Sequence, residues 1–296
     1  MAENRRIWLD GKIVDEADAK ISVFDHCVLY GDGVFEGIRV YGGCVFRLRE
    51  HLLRLWSSAK YIVLDIPMTI EEMTRAVVET VRANNMRDGY IRLVVTRGTG
   101  DLGLNPFNCP RATVFIIASS IRLYPAEDYE NGMEIVSVST RRFNVGSWNG
   151  RVKSCNYLNN IMAKVEGQMA GAREALMLDQ NGFVVECTGD NIFIVKNGVL
   201  TTPPVYLGAL RGVTRDAIME LAAARGITVR EEPFTRFEVF DADECFLTGT
   251  AAEVIPVVSV DRRPIGTGRP GSMTLQLLAA FRELVTVDGE QAYPEG

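Results

Sequence analysis

Two Asn-Gly dipeptides set between apolar runs do most to limit the folds open to this chain. Asn181-Gly182 separates Ala175–Leu178 from Phe183–Glu186, and Asn197-Gly198 separates Asn191–Lys196 from Val199–Thr201. Asn and Gly accept the positive φ angles of a tight turn, so each pair predicts two antiparallel strands joined directly. Asp10-Gly11 repeats the signal within Arg6–Ile21, where IWL leads in and KIV returns. Strands joined by hairpins do not alternate with crossover helices. The expected class is α+β with antiparallel sheets, not a doubly wound βαβ array.

Helical spacing marks Arg49–Lys60, where Leu52, Leu53, Leu55 and Trp56 share one side and Arg54 lies beside the stripe. Thr69–Asn84 has Thr69 as its cap and Glu71 and Glu72 in the first turn. Val213–Arg225 is capped near Gly212 and stopped by Gly226, and Ser272–Leu284 is the final helix. Strands are expected at Tyr90–Thr96, Ala112–Ser119 and Glu134–Thr140. A long turn-rich loop, RGTGDLGLNPFNCPR, follows the first of these, and such loops are usually functional. At 296 residues two domains are expected: a small one over 1–120, a linker over 121–133 and a large one over 134–296. The polar tail from Thr286 reads as frayed.

Several function classes fall away. A formal charge of −6 without a Lys/Arg run argues against nucleic acid as a partner. No apolar run is long enough to span a bilayer, and the N-terminus lacks a signal-peptide core, so a cytoplasmic protein is expected. Six cysteines lack CxxC spacing, and His26 and His51 are the only histidines, so neither a metal site nor a histidine-based triad is expected. There is no GxGxxG or GxxxxGK[ST] either.

What remains centres on GRVKSCNYLNNIMAKVEG, residues 150–167. Tyr157, Leu158, Ile161, Met162 and Val165 follow helical spacing, which predicts a buried-faced helix from near Asn156 with Ser154 as a possible cap. Lys153 would then stand at the helix mouth, where the dipole disfavours an ammonium and suits Schiff-base chemistry. LRGVTR at 210–215 offers backbone amides at a helix N-terminus, and LTGTAAE at 247–253 offers a second set. Glu186 ends the strand GFVVE, and Tyr90 and Arg92 share a strand face able to meet a carboxylate. Taken singly, each has a plainer reading: a surface lysine, an ordinary cap, a polar turn, a solvated glutamate, an exposed strand face. Together they supply a lysine nucleophile, an anion site and an acidic partner for a heteroaromatic nitrogen, the inventory that pyridoxal phosphate requires.

Ordered motifs extend this pattern: YGDGVFEGIRVY (30–41), FRLREHLLRL (46–55), YIRLVVTRGTGDLGLNP (90–106), VKSCNYLNNIMAKVE (152–166), ECTGDNIFIV (186–195), LRGVTR and FLTGTAAEVIPV (246–257). On them the chain resembles the class IV, branched-chain aminotransferase-like pyridoxal-phosphate enzymes. The resemblance implies a two-domain D-amino-acid aminotransferase-like fold, a small α/β domain and a larger pseudo-barrel domain carrying the lysine, with cofactor between them. It implies that Lys153 carries pyridoxal 5'-phosphate, with Arg54, Gly212, Val213, Thr214 and Thr250 around the phosphate. Tyr157 would meet the phenolate oxygen, Glu186 the pyridine nitrogen, and Leu210 the ring face. Tyr30, Phe35, Gly37 and Arg39 would form a substrate wall, and Tyr90, Arg92, Thr250, Ala251 and Ala252 would receive the substrate carboxylate. It further implies a homodimer or dimer-based hexamer, with 99–109 reaching a partner's site.

YGDGVFEGIR, YIR and GTAAE look like the branched-chain subgroup, which exchanges amino groups between Leu, Ile or Val and 2-oxoglutarate in ping-pong fashion. D-amino-acid aminotransferase, (R)-amine transaminase, aminodeoxychorismate lyase and a catalytically silent binding protein are the alternatives. Intact Lys153 and Glu186 count against the last. Cys155 is a variable spot, and Asp190 stands where some relatives have Glu.

Overall fold

The Asp10-Gly11 turn forms as expected, with φ of 45° and 94°, and joins β1 (Arg6–Leu9) to β2 (Lys12–Asp15). The structure, a computed structural model, describes residues 5–121 and 124–293. The chain divides into two units: one contains the chain through Ile121 together with Val152–Asn156 and the stretch from Leu284, and the other contains the remainder.

After α1 (His26–Tyr30), the first unit continues with β3 (Gly33–Tyr41), β4 (Cys44–Phe46), α2 (Leu48–Tyr61), α3 (Ile70–Ala83), β5 (Gly89–Thr96) and β6 (Thr113–Ser119). Gly42 and Gly43, at φ 58° and 94°, turn β3 into β4. Thr69 caps α3 through the full reciprocal box with Glu72, satisfying amides that have no intrahelical partner. All seven strands pair antiparallel, in the order Gly289–Gln291, β4, β3, β5, β6, β1, β2. Ile38 and Leu93 from the sheet pack with Leu52 and Leu55 of α2 and Val77 and Val81 of α3, all completely buried. Leu53, read as part of the apolar side of α2, is instead 46% exposed. The tail also departs from expectation. Gly289–Gln291 adds an edge strand to β4, secured by an Arg47–Asp288 ion pair at 2.7 Å and by completely buried Ala292.

The second unit holds α4 (Ala126–Asn131), β7 (Met133–Ser137), α5 (Leu158–Met169), β8 (Glu174–Leu178), β9 (Val184–Cys187), β10 (Asn191–Lys196), β11 (Val199–Thr202), α6 (Val213–Ala224), β12 (Thr228–Glu231), α7 (Arg236–Phe240), β13 (Glu244–Gly249), β14 (Glu253–Val260) and α8 (Ser272–Leu284). Its sheet runs β12, β11, β10, β13, β14, β7, β8, β9, with Arg263–Pro264 added to β14. The α+β class stands, but this sheet is mixed, since β7 pairs parallel to β8 and β14, and β11 parallel to β12. Asn197-Gly198 forms the tight turn with both φ positive, 49° and 76°. At the other Asn-Gly pair only Gly182 is positive, because the Asp179 carboxylate accepts from Asn181 and Phe183 amides and rounds a longer loop.

The helix after Lys153 differs most. It starts at Leu158 with Tyr157 as its cap residue, and its apolar stripe faces outward: Leu158, Ile161, Met162, Val165 and Met169 are all exposed. Asn160, Ala163 and Gly167 are buried instead. The sheet approaches so closely that a Cβ on Gly167 would lie 3.1 Å from that of Ala175, a gap that only small residues fit. Val152–Asn156, sequence-placed in the large domain, groups with the first unit. Of the expected linker, residues 122–123 lie outside the described residues, and the rest carries α4.

Candidate active site

In the first unit, the lysine segment is bonded to the start of β3. The Phe35 amide donates to the Lys153 carbonyl at 3.0 Å, the Cys155 amide donates to Gly33 at 2.9 Å, and Val34 bridges Ser154. The Lys153 amide donates to Ser58 Oγ of α2 at 3.1 Å. These bonds fix the main chain while Nζ sits 4.5 Å from the Phe35 ring centroid. Ser154 is not a helix cap, and α5 begins five residues beyond Lys153, past the first-turn reach of its dipole. Strand pairing, not a helix end, positions this lysine.

Strand alternation sorts the neighbours. Phe35, Gly37 and Arg39 lie on one face of β3, and Val34, Glu36 and Ile38 on the other. On the first face, Gly37 is paired with Arg92 of β5, and a Cβ there would fall 1.9 Å from Tyr90 Oη, so only glycine admits the phenol. Arg92 donates to Tyr90 Oη at 3.2 Å and lies 4.5 Å over the Phe35 ring. Arg39 covers the Tyr41 ring at 4.7 Å. Tyr30, exposed at the end of α1, donates to the Leu102 carbonyl of the long loop. The structure therefore brings Lys153, Phe35, Gly37, Tyr90 and Arg92 together.

On the other face, completely buried Glu36 accepts from Arg54 Nε at 2.8 Å and Nη2 at 2.7 Å, and from His51 Nδ1 at 2.8 Å. Burial pushes this carboxyl up, but Arg54 and His51 overcome it and hold Glu36 well below its usual range. Burial likewise pushes His51 down. One edge of the Arg54 guanidinium is thereby fixed. Sequence reasoning assigned Glu36 and His51 nothing, although a carboxylate at an inward strand position between Val34 and Ile38 demands a buried cation.

In the second unit, Glu186 on β9 is 5% exposed. Its Oε1 meets Arg142 Nη2 at 2.6 Å, and its Oε2 accepts from the Leu210 amide at 2.9 Å and Asn191 Nδ2 at 3.3 Å. Arg142 donates to Asn160 Oδ1 at 2.9 Å, and Asn160 in turn donates to the Thr188 carbonyl at 2.8 Å. Gly150 must lack a side chain, since a Cβ would lie 2.9 Å from Arg142 Nη2 and 2.1 Å from the Gly208 carbonyl. No sequence signal marked Arg142, which stands in an irregular stretch after β7.

Gly212 is the N-cap residue of α6, as expected, so Val213 and Thr214 present first-turn amides that have no intrahelical partner. A Cβ on Gly212 would come 2.1 Å from Asn191 Oδ1, and Asn191 Nδ2 also donates to the Leu210 carbonyl at 2.8 Å. One asparagine thus ties Glu186, Leu210 and the helix start together. Thr250, Ala251 and Ala252 form the β13–β14 turn, ended by Glu253 at φ 59°. Tyr129 donates to the Ala252 carbonyl at 3.0 Å. Tyr157 is half-buried at the start of α5. Among the described residues no cluster of side chains could hold a metal ion.

The family model for amino-transferase class IV matches residues 33–260. A Methanocaldococcus jannaschii protein, provisionally named a branched-chain-amino-acid aminotransferase, is 54% identical over 98% of this chain and 100% of its own length. The crystal structure of the Escherichia coli branched-chain amino acid aminotransferase matches with a TM-score of 0.93 at 39% identity, over 98% of each chain. That of the T.th. branched-chain amino acid aminotransferase complexed with N-(5'-phosphopyridoxyl)-L-glutamate gives 0.91 at 39% identity, over 96% of this chain and 94% of that one.

Proposed function

The chain belongs to the class IV aminotransferases, and from that premise we infer that it transfers amino groups between branched-chain L-amino acids and 2-oxoglutarate, using pyridoxal 5'-phosphate. The observation that carries this reading is the pinned lysine. Lys153 has its main chain bonded on both sides to β3 and α2, while its amine reaches over Phe35. The donor sets also suit the cofactor: a helix N-terminus opened by a required glycine answers the phosphate, and a carboxylate fixed by Arg142, Asn191 and Leu210 answers a pyridinium.

When bound, pyridoxal phosphate supplies an aldehyde for the amine and a ring that draws electrons from the substrate Cα. The chain's own residues do the rest. Lys153 would hold the cofactor and, once released by substrate, would move the proton at the substrate Cα as general base and acid. Arg54, Gly212, Val213, Thr214 and Thr250 hold the phosphate, with Glu36 fixing the Arg54 guanidinium. Tyr157 would donate to the phenolate oxygen, Glu186 would keep the ring nitrogen protonated, and Leu210 would pack on the ring. Tyr30, Phe35, Gly37 and Arg39 line the side-chain pocket. Tyr90 and Arg92, with the turn amides of Thr250, Ala251 and Ala252, take the carboxylates, and the Arg92 charge suits the second carboxylate of glutamate.

We place the enzyme in the cytoplasm, where six unpaired cysteines remain reduced. We further propose a homodimer or dimer-based hexamer. The outward stripe of α5 supports this, as do exposed Leu102, Leu104 and Phe107 of the long loop, because clustered exposed apolar side chains mark association.

The test is spectroscopic and kinetic. Incubation with pyridoxal phosphate should give a visible absorption band that shifts on adding leucine or glutamate, and Lys153→Ala should lose the band and multiple turnover. In a screen of L-Val, L-Ile, L-Leu, D-Ala and (R)-1-phenylethylamine with 2-oxoglutarate, the L-branched donors should lead. A colourless wild type, or a lead by D-Ala or the amine, overturns the reading.

A further inference from the structure

Behind the Gly249–Ala252 turn lies an acid pair that the proposed chemistry does not use. Asp190 and Glu174 are 4% and 2% exposed, and the Tyr124 hydroxyl stands between them, 2.9 Å from Asp190 Oδ2 and 3.1 Å from Glu174 Oε2. A phenol carries one proton, so it donates to one carboxyl and must accept from the other. Glu174 already accepts from the Ala175 amide at 2.7 Å, the Thr188 amide at 3.0 Å and the Thr188 hydroxyl, and it meets Lys164 Nζ at 3.0 Å. That donor load makes Glu174 the ionised member. Among the described residues Tyr124 is the hydrogen-bond partner of the Asp190 carboxyl, so the Asp190 proton points to the phenol oxygen, which passes its own to Glu174.

The other Asp190 oxygen bears on the turn. Oδ1 would be 2.0 Å from a Cβ on Gly249, the residue immediately before Thr250, Ala251 and Ala252. The charged and titratable groups facing Asp190 are Glu174 on β8, Glu186 and Cys187 on β9, Lys164 on α5 and Tyr124. Two of these are carboxylates, and Lys164 already lies on Glu174. We propose that Asp190 is a positioning residue held as the neutral acid, so that the turn binds anions without a buried negative charge behind it. Ionising Asp190 would set a charge against the turn amides that receive the substrate carboxylate and the cofactor phosphate. Burial, then the Glu174 charge, raises Asp190 to about 7, which brings that ionisation into the working range.

This inference rests on the aminotransferase reading, and the experiment separates the two. The KM for L-leucine should rise roughly tenfold between about pH 6 and about pH 9 while kcat shows no matching step. Asp190→Asn keeps a neutral side chain of the same shape and should hold the low KM throughout. Infrared spectra of the holoenzyme should show a protonated-carboxyl band at neutral pH that fades with alkali and is absent from Asp190→Asn. Should that variant not fold, Glu174→Gln removes the neighbouring charge and should move the KM step to lower pH. A step that survives in Asp190→Asn, a band unchanged by it, or an unmoved step in Glu174→Gln overturns the proposal. The infrared band is independent of substrate, so its presence without leucine turnover would indict the aminotransferase reading alone.

Discussion

Glu36 in the first unit and Asp190 in the second are both buried carboxyls, yet their surroundings shift them in opposite directions. Glu36 faces a bidentate guanidinium and an imidazole N–H, which outweigh burial and keep it ionised. Asp190 shares one phenol with a second carboxylate, and burial wins. Depth is the same in both places; the facing charges decide. The ionised group orients a cation proposed to hold phosphate, whereas the neutral one keeps charge away from a turn proposed to bind anions.

The most disruptive way to break this comparison is to remove Glu36. Glu36→Ala removes the fully buried carboxylate that meets the part-buried Arg54 guanidinium, and should cost about 3–5 kcal/mol of stability by denaturant unfolding as well as retention of pyridoxal phosphate on dialysis. Unchanged retention would contradict its orienting part.

Opposite pH slopes give the next effect. Glu36 is depressed in the folded chain, so its stabilisation is present above the unfolded-state pKa and is lost as acid protonates it. Asp190 is raised to about 7, so the folded chain binds the extra proton and stability falls as pH climbs from about 4 to about 7, by on the order of 4 kcal/mol. Urea unfolding across that window should show the fall in wild type and its absence in Asp190→Asn. Equal slopes in both proteins would refute the assignment.

Arg142 offers a third arrangement, one guanidinium Nη on the Glu186 carboxylate proposed to meet the cofactor's ring nitrogen. Arg142→Met should lower kcat roughly tenfold to a hundredfold and shift the visible band, with partial rescue by lysine. Equal activity of the methionine and lysine variants would leave Arg142 a packing role only. The smallest effect belongs to a half-exposed position on the outward stripe of α5. Ile161→Ser should change subunit stability by no more than about 0.5 kcal/mol, yet shift sedimentation toward smaller species. Unaltered sedimentation would remove α5 from the association surface.

Local chemistry was legible wherever adjacent residues decide the outcome. Thr69 with Glu72, Gly212 before Val213 and Asn197-Gly198 all rest on short-range capping and turn rules, and the structure has them. Long-range pairing left no such trace. The parallel contacts of β7 and β11 join segments far apart, and the polar tail gave no hint of a partner in β4. The stripe on α5 is legible in the sequence but faces outward and not into a core, because periodicity shows that one face is apolar without showing what covers it. The proposed site residues were legible through ordered motifs, whereas Arg142 and His51 act through partners that only folding brings near.

The lysine segment and the last strand also govern the order in which the protein can be made. The first unit takes in Val152–Asn156 and the stretch from Leu284, so its sheet can close only after Gly289–Gln291 has been made. A fragment ending at Ile121 lacks two native contributors to that sheet. Neither unit is a severable cassette, because each is assembled from separate stretches of the chain.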